Sequence, residues 1–348
     1  MDMHEKYMRR CLELAIIGAG TVSPNPMVGA VIVHDGRVIG EGYTAPFGGP
    51  HAEVNAIHQV LTLFSEQATK LLSQSELYVS LEPCAHFGKT PPCADLIAKY
   101  GLRKVYVACK DPFPQVSGKG IEKLRAAGIT VETGLLEREA RWVNRRFFTR
   151  ILKHRPFVIL KWAQTSDGFI GRTDDVQTWI SNPASKQLVH KWRAEEDAIL
   201  VGTRTALVDN PALTVREWDG HHPKRILIDR NLSVPTSANI YGREGELIVF
   251  NAVKSEWKDN VKYIELENFG LYLPQNILYQ LYLMDVQSII IEGGAITIQH
   301  FIDAGLWDEA RILTAQQELG SGIAAPKLDG RVLEKHRVAN DELSIVVK

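Results

Sequence analysis

An α/β fold in two domains is predicted by three features of the 348-residue chain. Apolar runs of strand length alternate with segments whose apolar residues recur every three to four positions, the spacing of a helix with one buried face. The length matches about two domains of ordinary size. A hydrophobic fraction of 45% against 23% charged residues is that of a globular protein with real cores. At His154-Arg155-Pro156, proline blocks helix continuation and pushes the preceding residue into an extended conformation. The boundary is placed there, giving domains 1–153 and 157–348.

In the first domain, Met8, Cys11, Leu12, Ala15 and Ile16 predict a helix over 3–17, ended by Gly18 and Gly20. Ser23-Pro24-Asn25-Pro26 cannot be helical and leads to a strand over 28–33. His34-Asp35-Gly36-Arg37 reads as a hairpin turn into a strand over 38–43. Helices then follow at 52–63, 94–100 and 121–127, with strands at 76–81, 104–108 and 129–132. One arginine- and aromatic-rich helix is expected over 137–153. This is a layered domain around a mostly parallel sheet. The second domain repeats the alternation, with strands at 157–161, 198–201, 225–229, 247–250, 261–264 and 288–292. Its helices are expected at 182–194, 274–283 and 297–304.

A net charge of −1 argues against a large nucleic-acid footprint. The first residues lack an apolar signal region, and no run approaches the ~18 apolar residues of a membrane span, so no membrane partner is expected. Four cysteines in a chain of this size do not make a disulfide framework. Two of them sit in a metal-like setting that needs reduced thiols, which places the protein in the cytoplasm.

That setting is His51 with Cys84 and Cys93, three ligands for a zinc ion whose fourth position stays open to water. Glu53, two residues past His51 on the same predicted helix, is not needed as a ligand and is free to move protons. Cys84 and Cys93 are each expected to begin a helical turn, where the dipole favours thiolate. The competing readings are a structural zinc site closed by His86, or two buried cysteines and a surface histidine. Cys11 and Cys109 lie on apolar elements and read as buried thiols, and His58 as structural or surface. The stretch from Ala85 to Pro92 holds His86, Lys89 and Thr90, which suit a phosphate or are simply solvated.

No G-x-G-x-x-G opens either domain. Instead Ser288-Ile289-Ile290-Ile291-Glu292-Gly293-Gly294-Ala295 runs from a buried strand through a glycine pair into a helix. Such a turn lets backbone amides meet a phosphate, and it equally fits a tight turn without ligand. Lys161 ends a buried strand and needs a carboxylate or ligand partner. Asp209 is either that partner or a turn cap. Arg193 and Arg216 suit a phosphate, or else form salt bridges.

Asn25-Pro26-Met27-Val28-Gly29-Ala30-Val31, the His51/Glu53 pair, and Glu82-Pro83-Cys84 through Cys93 together resemble one half of a known family. Asp111-Pro112-Phe113-Pro114-Gln115-Val116 with Gly118-Lys119-Gly120 adds to the likeness. So do Leu160-Lys161, Ser166-Asp167-Gly168, Thr178-Trp179-Ile180-Ser181, the stretch from Asp209 to Arg216, and Ile291-Glu292-Gly293-Gly294. The family is that of the bifunctional riboflavin-biosynthesis deaminase–reductases, and the resemblance covers nearly the whole chain. The His-x-Glu, Pro-Cys, Cys order is also similar to the zinc-deaminase signature, with eight residues between the cysteines instead of a Cys-x-x-Cys step.

The resemblance implies a cytidine-deaminase-like three-layer α/β/α domain followed by a dihydrofolate-reductase-like α/β domain. It implies Zn2+ at His51, Cys84 and Cys93, Glu53 as proton carrier, and Asn25, His86 and Lys89 against a phosphorylated pyrimidine substrate. It places Ala163, Trp179, Thr205, Asp209, Gly293, Gly294, Ala295, Ile296 and Thr297 around NADPH. It places Gln177, Arg193, Leu213, Arg216 and Glu292 around the second substrate. From their own positions, Lys161 and Asp209 read as the polar orienters in catalysis, one of them supplying a proton to the oxygen formed. A homo-oligomer, dimer or higher, is also implied. The chain departs from the pattern at Thr44, where many members carry a histidine. Two other readings compete: a nucleobase or tRNA deaminase with an accessory nucleic-acid-binding domain, and a non-enzymatic zinc-stabilised module. The arginine-rich stretch 138–150 is the candidate surface for the former; unfolding on chelation would mark the latter.

Overall fold

The computed structural model describes residues 2–85, 87, 91–113 and 116–348. The chain forms two compact units, Met1–Lys153 and His154–Lys348. Among the described residues no helix is long and apolar enough to cross a membrane.

The first unit runs α1 (Met3–Ile16), β1 (Gly29–His34), β2 (Arg37–Tyr43), α2 (Ala52–Phe64), α3 (Ala68–Ser73), β3 (Glu76–Val79), α4 (Cys93–Tyr100), β4 (Lys104–Val107), α5 (Lys119–Ala126), β5 (Thr130–Thr133), α6 (Glu137–Val143) and α7 (Arg145–Lys153). Its sheet has the order β2-β1-β3-β4-β5, with β1 antiparallel to both neighbours and β3, β4 and β5 parallel. Two glycines show how the helices cover it. A Cβ on Gly29 would stand 1.9 Å from the Cys11 carbonyl oxygen of α1, whereas one on Gly42 would stand 2.3 Å from the Ala52 oxygen of α2. Gly42 pairs with Ala30, the residue after Gly29, so these two glycines face opposite sides of the sheet. The unit is therefore a three-layer α/β/α sandwich, with each of the two helices seated directly on strand backbone.

The single helix expected over 137–153 is two helices, α6 and α7, broken at Asn144. The Asn144 amide accepts from the Met27 N–H and donates to the Met27 carbonyl, both at 2.8 Å, tying the segment before β1 to the break. Helix α3 was not expected; Ala68 and Leu72 bury its short apolar face.

The second unit runs β6 (Phe157–Gln164), β7 (Phe169–Gly171), α8 (Pro183–Glu195), β8 (Ala198–Gly202), α9 (Thr203–Asp209), β9 (Lys224–Ile228), β10 (Leu247–Asn251), β11 (Glu256–Lys258), β12 (Val261–Glu265), α10 (Leu273–Leu283), β13 (Ser288–Glu292), α11 (Ala295–Asp303), β14 (Glu309–Thr314), β15 (Ile323–Ala324), β16 (Arg331–Val338) and β17 (Asp341–Val347). Ten strands form one sheet in the order β11-β12-β10-β9-β8-β13-β6-β14-β17-β16. The seven from β12 to β14 are parallel, and β11, β17 and β16 extend it in antiparallel fashion. Successive residues of the central strands enter different cores. Val158, Leu160, Ile289 and Ile291 pack on one face, and Phe157, Ile159 and Ile290 on the other. A parallel sheet buried on both faces needs such unbroken apolar runs, which is why these strands are legible in the sequence. Helix α8 starts where the Asn182 side chain accepts the Ser185 N–H, with Pro183 in the first turn.

Two candidate active sites

In the first unit, His51 is the N-cap of α2 and Cys93 is the first residue of α4. Cys84 lies in non-helical chain after β3, not at the start of a helical turn as expected. Its sulfur is instead supported by the Cys93 N–H at 3.3 Å, while its carbonyl accepts the Ala94 N–H. The His51 Nδ1 is 3.7 Å from Cys84 Sγ and 3.3 Å from Cys93 Sγ. All three ligand atoms lie within 4.8 Å of one another. Tetrahedral zinc bonds of about 2.0–2.3 Å put ligand atoms roughly 3.3–3.8 Å apart. His51, Cys84 and Cys93 thus come within range of one ion although eight residues separate the cysteines.

Hydrogen bonding from Cys93, then His51 and the Cys93 N–H, lowers the Cys84 thiol, while Cys84 and burial raise Cys93. One imidazole and two sulfurs, one already inclined to thiolate, are a donor set that fits zinc. Among the described residues no fourth ligand joins this group. Glu53, in the first turn of α2, is only 3% exposed. Burial and the neighbouring Cys84 push its carboxyl up to about 7, a value suited to taking and giving protons near neutrality. Asn25 sits in the turn before β1, its N–H on the Val22 carbonyl. His86 and Lys89 lie outside the described residues. Cys11 and Cys109 are buried thiols that donate to the Tyr78 and Ser80 carbonyls. Thr44 is buried and spends its hydroxyl on the Val28 N–H and carbonyl at the edge of β1.

One residue of the motif has a role that the sequence reading missed. The buried Glu82 carboxylate accepts four backbone N–H groups, from Asp111, Gly118, Gly120 and Ile121, at 3.0–3.3 Å. It thereby caps the N-terminus of α5 and ties the segment around Gly118-Lys119-Gly120 to the strand end that carries Cys84. Gly120 is required there: a Cβ would sit 1.9 Å from the Pro83 oxygen. The signal was present in the sequence, since a carboxylate two residues before a cysteine ligand had no assigned task.

In the second unit the candidate residues gather at the C-terminal ends of the parallel strands, where α/β sheets place their ligands. Lys161 and Glu292 face each other in register across β6 and β13. Lys161 Nζ is 3.1 Å from Glu292 Oε1, and Arg193 of α8 is 2.9 Å from Oε2. The partner of Lys161 is therefore Glu292 and not Asp209. Burial alone would raise the Glu292 carboxyl, but Arg193 and Lys161 outweigh it and hold it down to about 2. Asp209, the last residue of α9, is raised by burial and by the Glu292 charge. Arg193 also reaches the Thr214 carbonyl, so its guanidinium is engaged within the protein, while Arg216 is exposed and hydrogen-bonds the Thr214 hydroxyl at 3.1 Å. Leu213 is buried with a positive φ of 58°.

Ala163 follows two residues after Lys161 on β6, on the same face. Thr205 of α9 accepts the Gly294 N–H at 2.8 Å, and a Cβ on Gly202 would stand 2.5 Å from Thr297 Oγ1. Gly293, Gly294, Ala295, Ile296 and Thr297 form the turn and first residues of α11, which has no side-chain cap. Its first amides are thus unpaired within the helix and point as an anion site would require. Gln177 is exposed and donates to the Asp209 carbonyl at 3.4 Å; the Trp179 side chain is 67% exposed. Thr214, which links Arg193 to Arg216, was not among the expected residues.

Two family profiles match the chain: the cytidine and deoxycytidylate deaminase zinc-binding region over residues 1–109 and the RibD C-terminal domain over residues 156–341. The riboflavin biosynthesis protein RibD of Aquifex aeolicus is 39% identical, over 96% of this chain and 93% of its own. The crystal structure of a diaminohydroxyphosphoribosylaminopyrimidine deaminase/5-amino-6-(5-phosphoribosylamino)uracil reductase from Thermotoga maritima is 36% identical and superposes with a TM-score of 0.90, covering 99% and 98% of the two chains. Acinetobacter baumannii RibD gives 31% identity and a TM-score of 0.88 over the same shares.

Proposed function

The chain belongs to the family of bifunctional riboflavin biosynthesis proteins, RibD, and from that premise we propose which of its residues carry each reaction. It is an enzyme with a zinc-dependent deaminase half and a reductase half. The observation that carries the assignment is the convergence of His51, Cys84 and Cys93 beside the buried Glu53.

In the deaminase half, His51, Cys84 and Cys93 hold the zinc, and Asn25, His86 and Lys89 bind the phosphorylated diaminopyrimidine. When bound, zinc supplies the Lewis acidity that makes water nucleophilic near pH 7. Glu53 would carry the protons of the exchange: of the two protons of the attacking water, one goes to the ring nitrogen and one to the departing amine, so that N=C–NH2 becomes NH–C=O and ammonia leaves. Glu82 keeps Cys84 and the α5 segment in one rigid piece.

In the reductase half, the reduced nicotinamide of NADPH supplies the hydride that converts the ribosyl to the ribityl chain. Thr205, Asp209 and the Gly293, Gly294, Ala295, Ile296 and Thr297 turn hold the cofactor with Ala163 and Trp179. Gln177, Leu213, Arg216, Arg193 and Glu292 form the substrate side. Lys161 and Arg193 are both anchored on Glu292; Lys161 orients or protonates the oxygen formed, with Asp209 as second polar orienter. The reduced thiols that the zinc site needs support a cytoplasmic location. A net charge of −1 supports a small-molecule partner and no nucleic acid, and the homo-oligomer implied by family likeness completes the proposal.

The test is ammonia release from the diaminopyrimidine by zinc-loaded protein, beside Glu53→Gln with its metal content measured. The variant should keep its zinc and lose deamination by about two to four orders of magnitude. Ammonia released at the wild-type rate by a zinc-loaded variant would end the assignment.

A further inference from the structure

The turn after α9 contains two non-glycine residues in the left-handed region, Asn210 at φ 41° and Leu213 at φ 58°. Asparagine tolerates that region, whereas a branched apolar side chain occupies it only where its surroundings over-determine the backbone. The surroundings here are specific. The next residue, Thr214, is buried, and the two amides after it are both accepted by imidazoles. The Val215 N–H donates to His222 Nδ1 at 3.1 Å, and the Arg216 N–H donates to His190 Nδ1 at 3.2 Å. Both contacts require a ring whose Nδ1 carries no proton. His190 is 1% exposed and stands on α8, three residues before Arg193. One helix therefore supplies the hydrogen bond that seats the Arg216 backbone and the guanidinium that reaches the Thr214 carbonyl.

We infer that His190 is a positioning residue for the reductase: through Nδ1 it holds the 213–216 turn so that Arg216 presents its guanidinium to the phosphate of the substrate. The inference rests on the reading that Arg216 binds that substrate. The charged groups around the ring are Lys186 and Arg193 from its own helix, and Arg216 and Glu217 from the turn, with Lys186 paired to Glu217 at 2.6 Å. Three cations against one carboxylate oppose a fourth positive charge. Burial first, then Arg193 and Arg216, accordingly hold the imidazole neutral, down to about 4. A neutral ring is the form the hydrogen bond needs. Acid would replace the acceptor with a second donor facing the Arg216 N–H, and the turn would have to let go.

The experiment uses the full-length, zinc-loaded enzyme with 5-amino-6-(5-phosphoribosylamino)uracil and NADPH. KM and kcat are measured for wild type, His190→Leu, His190→Asn and Arg216→Ala across acid to neutral pH, with near-UV circular dichroism as a folding check. Loss of one buried acceptor is worth about a tenfold change in binding, so His190→Leu should raise KM about tenfold with kcat within about twofold. Asparagine offers an acceptor oxygen near the Nδ1 position and should return KM to within about threefold of wild type. Asparagine does not titrate, so the ratio of wild-type to His190→Asn KM should climb in acid, which separates the ring from titration of the substrate phosphate. An unchanged KM in His190→Leu while Arg216→Ala raises it overturns the role of His190 alone. Equal damage from leucine and asparagine in folded protein also overturns it, since it marks a space-filling residue. An unchanged KM in Arg216→Ala ends the underlying assignment of the substrate site and the inference with it. Should His190→Leu fail to fold, the His190→Asn profile decides: identical pH dependence to wild type refutes the proposal.

Discussion

Glu292 takes two cations at once, and its ionisation is therefore a stability switch for the second unit. Its carboxyl is held to about 2 in the folded chain against an ordinary 4.5. A depressed folded value means the ion pairs contribute in full above pH 4.5, and that contribution is lost as pH falls from 4.5 towards 2. Glu292→Gln removes that acid-dependent slope. At neutral pH it leaves Lys161 and Arg193 without their shared carboxylate, a loss of about 3–5 kcal/mol in urea unfolding. A change below about 1 kcal/mol would show that the pairs are solvated. Glu53 behaves in the opposite sense. Its carboxyl is raised to about 7, so in metal-free protein stability falls as pH rises from 4.5 to 7. Glu53→Gln should therefore stabilise the chelated protein at pH 8, by an amount on the order of 3 kcal/mol or less, while removing turnover. Parallel thermal melts with and without chelator check this, and a destabilised variant would contradict it.

At the scale of elements, the His51, Cys84 and Cys93 group was legible from residue types and spacing; His51 and Cys93 stand at helix starts, and each of the three follows a proline, Pro50, Pro83 and Pro92. The central strands were legible because both faces are buried and the apolar runs are continuous. What was not legible depends on contacts far away in the chain. Asn144 breaks a helical pattern because Met27, more than a hundred residues earlier, needs its amide. Strand β16 is exposed along most of its length and charged, so no periodicity marks it; its hydrogen bonds to β17 make it a strand. Lys161 was matched to its carboxylate only by the β6/β13 register. Glu82 is the clearest case, since its task is to cap a helix 37 residues away in sequence, at Lys119. Glu82→Gln leaves one acceptor oxygen and no charge for four amides. The variant should lose about 1–3 kcal/mol, and the Gly118, Gly120 and Ile121 amides should exchange faster with deuterium. Unchanged exchange at those three positions would show that the cap is dispensable.

At the scale of the molecule, two units each carry a core of their own, one around β1, β3 and β4 and another on the two faces of the ten-stranded sheet. Separate cores allow separate chemistry. Stripping zinc with a chelator should abolish ammonia release, while NADPH oxidation persists when 5-amino-6-(5-phosphoribosylamino)uracil is supplied directly. Loss of both activities on chelation would tie the reductase to the metal. The two reactions run in one order, deamination and then reduction. The measurement that tests it most directly follows ammonia and NADPH together in one vessel containing full-length enzyme and the diaminopyrimidine. Ammonia should appear first, followed by one NADPH oxidised per ammonia released. Glu53→Gln should be silent in both signals until the deaminated intermediate is added, whereupon NADPH oxidation should return to the wild-type rate. NADPH consumed by the diaminopyrimidine without ammonia release, or a Glu53→Gln enzyme as active as wild type, would contradict it.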